Sequence, residues 1–147
     1  KKPNPFLKEI RGDCVIPFTY QGVVEESESI DKTYEMLGLS EIYLDYAGCF
    51  PRTHPIQTHL AKIEAGERVN LCRNNGKLEI RSQGGECLGR LSNEGANKWS
   101  ERLDHILAVR VVAMLQRNRD DPDEPFHKRI KADQWEIPVL EIVSRAV

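Results

Sequence analysis

Residues 85–106, GECLGRLSNEGANKWSERLDHI, constrain the fold more than any other stretch of the chain. A short apolar strand at Cys87 and Leu88 passes through Gly89 and Leu91 straight into an amphipathic helix. Ser92 or Asn93 marks the start of that helix, because a short side-chain oxygen can accept from the free N–H groups of a first turn. Ala96, Trp99, Leu103 and Ile106 recur at spacings of three and four, so they share one helical face that a sheet must cover. Residues 107–115, LAVRVVAML, are nearly all apolar and rich in β-branched side chains, which suits a strand running back under the helix. Strand, tight turn, helix and strand make a small mixed α+β domain.

The stretch before it is a meander. Val69, Leu71 and Cys72 lie on one strand, Asn74-Asn75-Gly76 supplies a turn with positive φ, and Leu78 and Ile80 alternate with Lys77, Glu79 and Arg81 on the return. Gln83-Gly84-Gly85 turns the chain again. The outward residues of this meander include Arg73, Lys77, Arg81 and Arg90. Further upstream, residues 13–21 read as a strand that Pro17 confines to an edge or a bulge. Ser27 or Ser29 caps a short helix carrying Ile30, Tyr34 and Leu37, with Gly38 to end it. Residues 39–47 contain a strand with Ile42, Leu44 and Tyr46 on one face. After the loop CFPRTHP, Thr53 is the expected N-cap of a helix that buries Ile56, Leu60 and Ile63 and stops at Gly66. Downstream, residues 116–125 form a polar loop, His127, Lys128, Arg129 and Lys131 a small basic cluster, and DQWEIPVLEIV a last strand bulged at Pro138. Trp99 and Trp135 are most simply core aromatics, with base stacking as the alternative.

At 147 residues the chain suits a single domain, with 41–147 as a barrel-like core and 1–40 either part of it or an acidic N-terminal extension. No apolar run reaches the ~20 residues of a membrane-spanning helix, and the first residues, KKPNPFLKEI, lack the apolar centre of a signal peptide. They read as a cut into a longer protein, close to a linker. Cys14, Cys49, Cys72 and Cys87 form no CxxC pair and read as reduced core residues of a cytoplasmic protein.

Charge is uneven along the chain. Residues 1–50 hold five Lys/Arg against nine Asp/Glu, whereas residues 51–119 hold twelve against seven. A basic middle can be the electrostatic footprint of a nucleic-acid site; the simpler reading is a solvated outer face of half-buried strands. His54 and His59 do not share a helical face and have no third ligand at a recognisable interval, so they read as capping, surface or binding residues and not as a metal site. No phosphate loop, GxGxxG, GxSxG or HExxH occurs; Gly76-Lys77 lacks the flanking residues that a phosphate loop needs. The expectation is a chain with no catalytic residues, metal or cofactor of its own.

The order of Tyr46-Ala47-Gly48-Cys49-Phe50-Pro51, His54-Pro55-Ile56 and a helix, Gly89-Arg90-Leu91-Ser92, a Trp-bearing helix and Trp135-Glu136-Ile137-Pro138 resembles the region C-terminal to the motor in bacterial RecQ-like ATP-dependent DNA helicases. The resemblance covers residues 42–143. A weaker similarity is to HIRAN domains, in Gly48 and Phe50 after a strand, Gly66 to Leu71, and Leu88-Gly89-Arg90-Leu91 leading into a helix. Those domains imply a small antiparallel β-barrel that grips single-stranded DNA, in some members at a strand end. Phe50 then falls in the region of the stacking aromatic, and Arg90 at the variable position after the glycine. This chain departs from the HIRAN pattern at Asn74-Asn75-Gly76-Lys77 and at Arg90.

The sequence therefore predicts an α+β fold, a small curled antiparallel sheet or β-barrel of the HIRAN, OB or SH3-like kind with two or three short helices. The function that follows is a non-catalytic module of an ATP-dependent helicase that binds single-stranded DNA or DNA ends. Arg52, Arg73, Arg81, Arg90 and Arg110 would meet phosphates and Phe50 a base. The alternative is a protein-interaction or structural module that orients the motor or recruits a partner.

Overall fold

A computed structural model describes residues 31–145. Six strands, β1 (Lys32–Met36), β2 (Arg68–Asn74), β3 (Lys77–Arg81), β4 (Cys87–Arg90), β5 (Ile106–Asn118) and β6 (Gln134–Arg145), form one sheet in the order β1-β6-β5-β2-β3-β4. All neighbours are antiparallel. Two short helices, α1 (Pro55–Ala61) and α2 (Asn93–Trp99), and four 3₁₀ turns complete the described chain. The α+β expectation holds in its open form. The sheet does not close into a barrel: β1 and β4 are its edges, and the segment after β1 meets the far edge without a strand ladder, through the bridge Ile42↔Leu91, a 2.9 Å bond from the Tyr43 N–H to the Arg90 carbonyl and bonds from Ser92 to the Ser40 and Glu41 carbonyls.

Local chemistry explains most elements. Asn75 and Gly76 adopt φ of 54° and 79°, so two adjacent left-handed residues reverse the chain between β2 and β3. Ser92 caps α2 by accepting from the Gly95 N–H at 3.1 Å. That helix stops at Trp99 and tightens into the 3₁₀ turn Ser100–His105, so Ile106 opens β5 and does not lie on the helical face. The reason is Trp99 itself: fully buried, it fixes the helix end in the core, and the tighter turn leads directly into β5. The cap of α1 is His54, whose Nδ1 accepts from the Ile56 N–H at 3.1 Å, and not Thr53. The helix ends at Ala61. Gly66, at φ 98°, turns into β2 and donates to the Val111 carbonyl.

Two expected elements differ. Residues 39–47 form no strand beyond the Ile42 bridge; 3₁₀ turns occupy Leu39–Glu41 and Ala47–Cys49. The alternation of Ile42, Leu44 and Tyr46 reflects packing against the core without ladder pairing. Tyr34 lies in strand β1, where direct pairing with Val143 replaces the expected helix; Ser27, Ser29, Ile30, Cys14 and the strand at 13–21 lie outside the described residues. β6 carries no bulge at Pro138. The irregularity is in its partner, between Val111 and Ala113, and Pro138 sits past the end of β1, where β6 is paired on one side and a missing N–H is tolerated.

The core is one cluster in which Leu78, Ile80, Trp99, Leu140 and Ile142 are fully buried and Trp135 nearly so. Among the described residues no helix is long and apolar enough to cross a membrane. The tightest helix contact is Gly95, where an added Cβ would collide with the Glu41 carbonyl oxygen. That oxygen also accepts from the Ser92 N–H at 3.0 Å, so it cannot withdraw. Gly95→Ala is expected to cost about 3 kcal/mol in denaturant unfolding, against about 0.5 kcal/mol or less for Gly84→Ala, whose Cβ would meet only the Ser82 hydroxyl. Equal midpoints for the two variants would contradict this packing.

Candidate nucleic-acid interface

Directly opposed residues in an antiparallel pair project to the same side of the sheet. The registers therefore define rows on one side: Glu141, Arg110 and Arg68; Asn70, Arg81 and Cys87; Cys72, Glu79 and Arg90; Asn74 and Lys77. The residues alternating with them, Val69, Leu78, Ile80, Val109 and Ile142, are buried on the other side. The polar side thus gathers five basic residues against two carboxylates.

Glu79 is the centre of this side and only 4% exposed. Its carboxylate accepts from Asn74 Nδ2 at 2.9 Å and from Arg81 at 3.1 and 2.5 Å, with the Arg90 guanidinium 4.0 Å away. Burial alone would raise its pKa, but the hydrogen bonds from Asn74 and Arg81 and the charges of Arg81 and Arg90 together hold it below the usual carboxylate value. Arg90 also lies over the Tyr46 ring, 4.7 Å from its centroid. Tyr46 meets Phe50 edge to face at 5.2 Å, and Phe50 meets the His54 ring at 4.4 Å. Burial, with Cys87 adding and Arg90 opposing, pushes the Tyr46 phenol up. His54 is thus both helix cap and end of an aromatic row, in keeping with a capping role.

Three of the predicted residues, Phe50, Arg81 and Arg90, come together through Tyr46 and Glu79. Arg110 shares their side of the sheet but is paired with Glu141 at 2.6 Å. The other two lie elsewhere. Arg73 opposes Leu78, so it projects to the apolar side, where its guanidinium donates to the Ser100 carbonyl. Arg52 is exposed in the loop before α1 and lines a separate groove with Gln57 and Trp135. Sequence reasoning missed Arg68, which opposes Arg110, is exposed, and has no carboxylate partner among the described residues. Extending the alternation of Val69 and Leu71 back by one position would have placed it. It also missed Tyr46 as the support under Arg90.

No protein family, curated protein or solved structure matches the chain.

Because the pKa of Glu79 is lower in the folded than in the unfolded chain, its contribution to stability is present above the ordinary value of 4.5 and is lost as pH falls through the folded value. Glu79→Gln leaves two guanidiniums without their shared negative charge and is expected to cost about 2 kcal/mol at neutral pH. It should also flatten the acid side of the stability profile measured by denaturant unfolding. A profile as steep as that of the unaltered protein would contradict the assignment.

Proposed function

We propose that this chain is a non-catalytic accessory module that grips single-stranded nucleic acid, DNA in the first instance, beside the motor of a cytoplasmic ATP-dependent helicase. The observation that carries the reading is the one-sided gathering of Arg68, Lys77, Arg81, Arg90 and Arg110 against Glu79 and Glu141. A polyanion recovers affinity wherever its phosphates replace counterions at such a face. Arg68 meets a phosphate first, being uncommitted to a carboxylate among the described residues. Arg81 and Arg90 use the guanidinium donors that Glu79 leaves over, since a planar fork can serve two acceptors. Phe50 enters as the support of Tyr46, and its remaining ring surface as a place for a base. The similarity of the 42–143 region to RecQ-like helicases, and more weakly to HIRAN domains, supports the same reading. Arg52 and Arg73 drop out of the phosphate track.

A second reading has an observation of its own. Arg81, Arg90 and Arg110 are each offset by a carboxylate, which weakens their pull on phosphate and suits a protein-interaction module that orients a motor or recruits a partner.

Fluorescence anisotropy of labelled single-stranded and duplex oligonucleotides separates the two. The nucleic-acid reading expects affinity that falls with salt at a slope of about −0.7 per phosphate contact, and about a tenfold loss in Arg68→Glu. No binding at micromolar protein in low salt would overturn it and leave the protein-interaction reading.

A further inference from the structure

We infer that the groove beside α1 binds a small zwitterion, a free α-amino acid or the end of a short peptide, between Glu136 and Arg52. The groove encloses about 380 Å3, within the roughly 300–1,000 Å3 typical of small-molecule sites. Arg52 enters from the loop before α1, Gln57 from α1, Gln116 from β5, and Gln134 and Glu136 from β6, over the edge of the buried Trp135. Gln116 and Glu136 are direct partners in the β5–β6 ladder, so they project side by side.

Glu136 is the informative residue. Among the described residues, every other carboxylate that is at least partly buried faces a cation: Glu35 and Glu41 face Lys98, Asp45 faces Arg117, Glu79 faces Arg81, and Glu141 faces Arg110. Glu136, itself half-buried, has none among the described residues. A carboxylate withdrawn from water favours a cationic partner. Arg52 lines the same groove without pairing to it, which leaves one positive and one negative group apart across a single concavity.

A ligand of one sign satisfies only one of them. A phosphate chain would meet Arg52 and be repelled by Glu136, so this groove is distinct in chemistry from the sheet face that carries Arg68. An ammonium group at Glu136 with a carboxylate at Arg52 satisfies both. The amides fit the same ligand. Gln57 Nε2 is committed to the carbonyls of Ala47 and Phe50 at 2.8 and 3.2 Å, which orients the side chain and leaves its oxygen to accept from an ammonium. Gln116 and Gln134 each offer a donor and an acceptor suited to a peptide bond.

The test is titration of the isotope-labelled full chain, followed by amide NMR, with glycylglycine, free glycine, and glycylglycine acetylated at its amino group. Saturable shifts at Gln116, Gln134 and Glu136 are expected with the free zwitterions. About tenfold weaker binding is expected on acetylation, in Glu136→Gln and in Arg52→Gln. Glu136→Gln preserves shape and Arg52 is exposed, so both variants should fold, which their spectra report directly. Tighter binding of the dipeptide assigns the groove to a peptide end; equal binding assigns it to a free amino acid. No saturable shift up to roughly 10 mM ligand, or binding unchanged in both variants, overturns the inference.

Discussion

Gly48 lies against the indole of Trp135 so closely that a Cβ there would stand 2.7 Å from the ring carbons. Much of the site hangs on this contact. The Trp135 Nε1–H donates to the Leu44 carbonyl at 2.8 Å, and the Gly48 carbonyl accepts from the Lys131 and Ala132 N–H groups at 2.7 and 3.2 Å. β6 and the residues that lead into it thereby fix the loop at Leu44 and at Gly48. Tyr46 and Phe50, two residues to either side, inherit that position, and Tyr46 in turn carries Arg90. A buried aromatic on one edge of the molecule thus sets where a cation stands on another. The contact is available only to glycine, because any side chain would occupy the space of the indole.

The charges follow a second rule. Half-exposed ion pairs contribute little to stability, since screening and side-chain entropy offset most of the Coulomb gain. Their value here is positional. Glu79 keeps two guanidiniums at fixed places on the sheet, and Glu141 does the same for Arg110. Lys98, Arg102 and the carboxylates of Glu35 and Glu41 form a comparable set on the opposite side, with the Arg102 guanidinium 4.2 Å from the Trp99 ring centroid. One side thus uses Lys98 and Arg102 to hold the helix and the turn after it to the rest of the fold, and the other leaves basic charge in excess.

Legibility tracked how local the determining physics is. The β2–β3 hairpin, α1, β5 and β6 could be read because turn residues, proline and the period of apolar side chains act over a few positions. The segment 39–47 could not, because alternation reports which side chains are buried and not whether the backbone has a ladder partner. The same limit applied to Arg73. Counting outward residues through the Asn74-Asn75-Gly76 turn assigns it with Lys77, yet the register opposes Arg73 to Leu78 and so reverses its side. Arg81 and Arg90 do share a side, since the short connection 82–86 joins β3 directly to a four-residue strand paired with it. Their convergence on Glu79, and the role of Tyr46 from a distant loop, are tertiary facts with no sequence period behind them.

The sheet is in mechanical terms two ladders joined by a short seam. β5 and β6 pair from Ile106↔Ser144 to Asn118↔Gln134, and β2, β3 and β4 form their own meander, but β2 and β5 are in register at Arg68↔Arg110 and Val69↔Val109, continued by two backbone bonds between Val111 and Gly66 and Glu67. Beyond Val69 the two strands diverge around an opening of about 340 Å3 lined by Asn70, Leu71, Leu103 and Ile106. Arg110 sits on one side of this seam and Arg81 and Arg90 on the other, while one shared core underlies both ladders. The spacing of cations on this face is therefore a property of the joint between the ladders and not of either ladder alone.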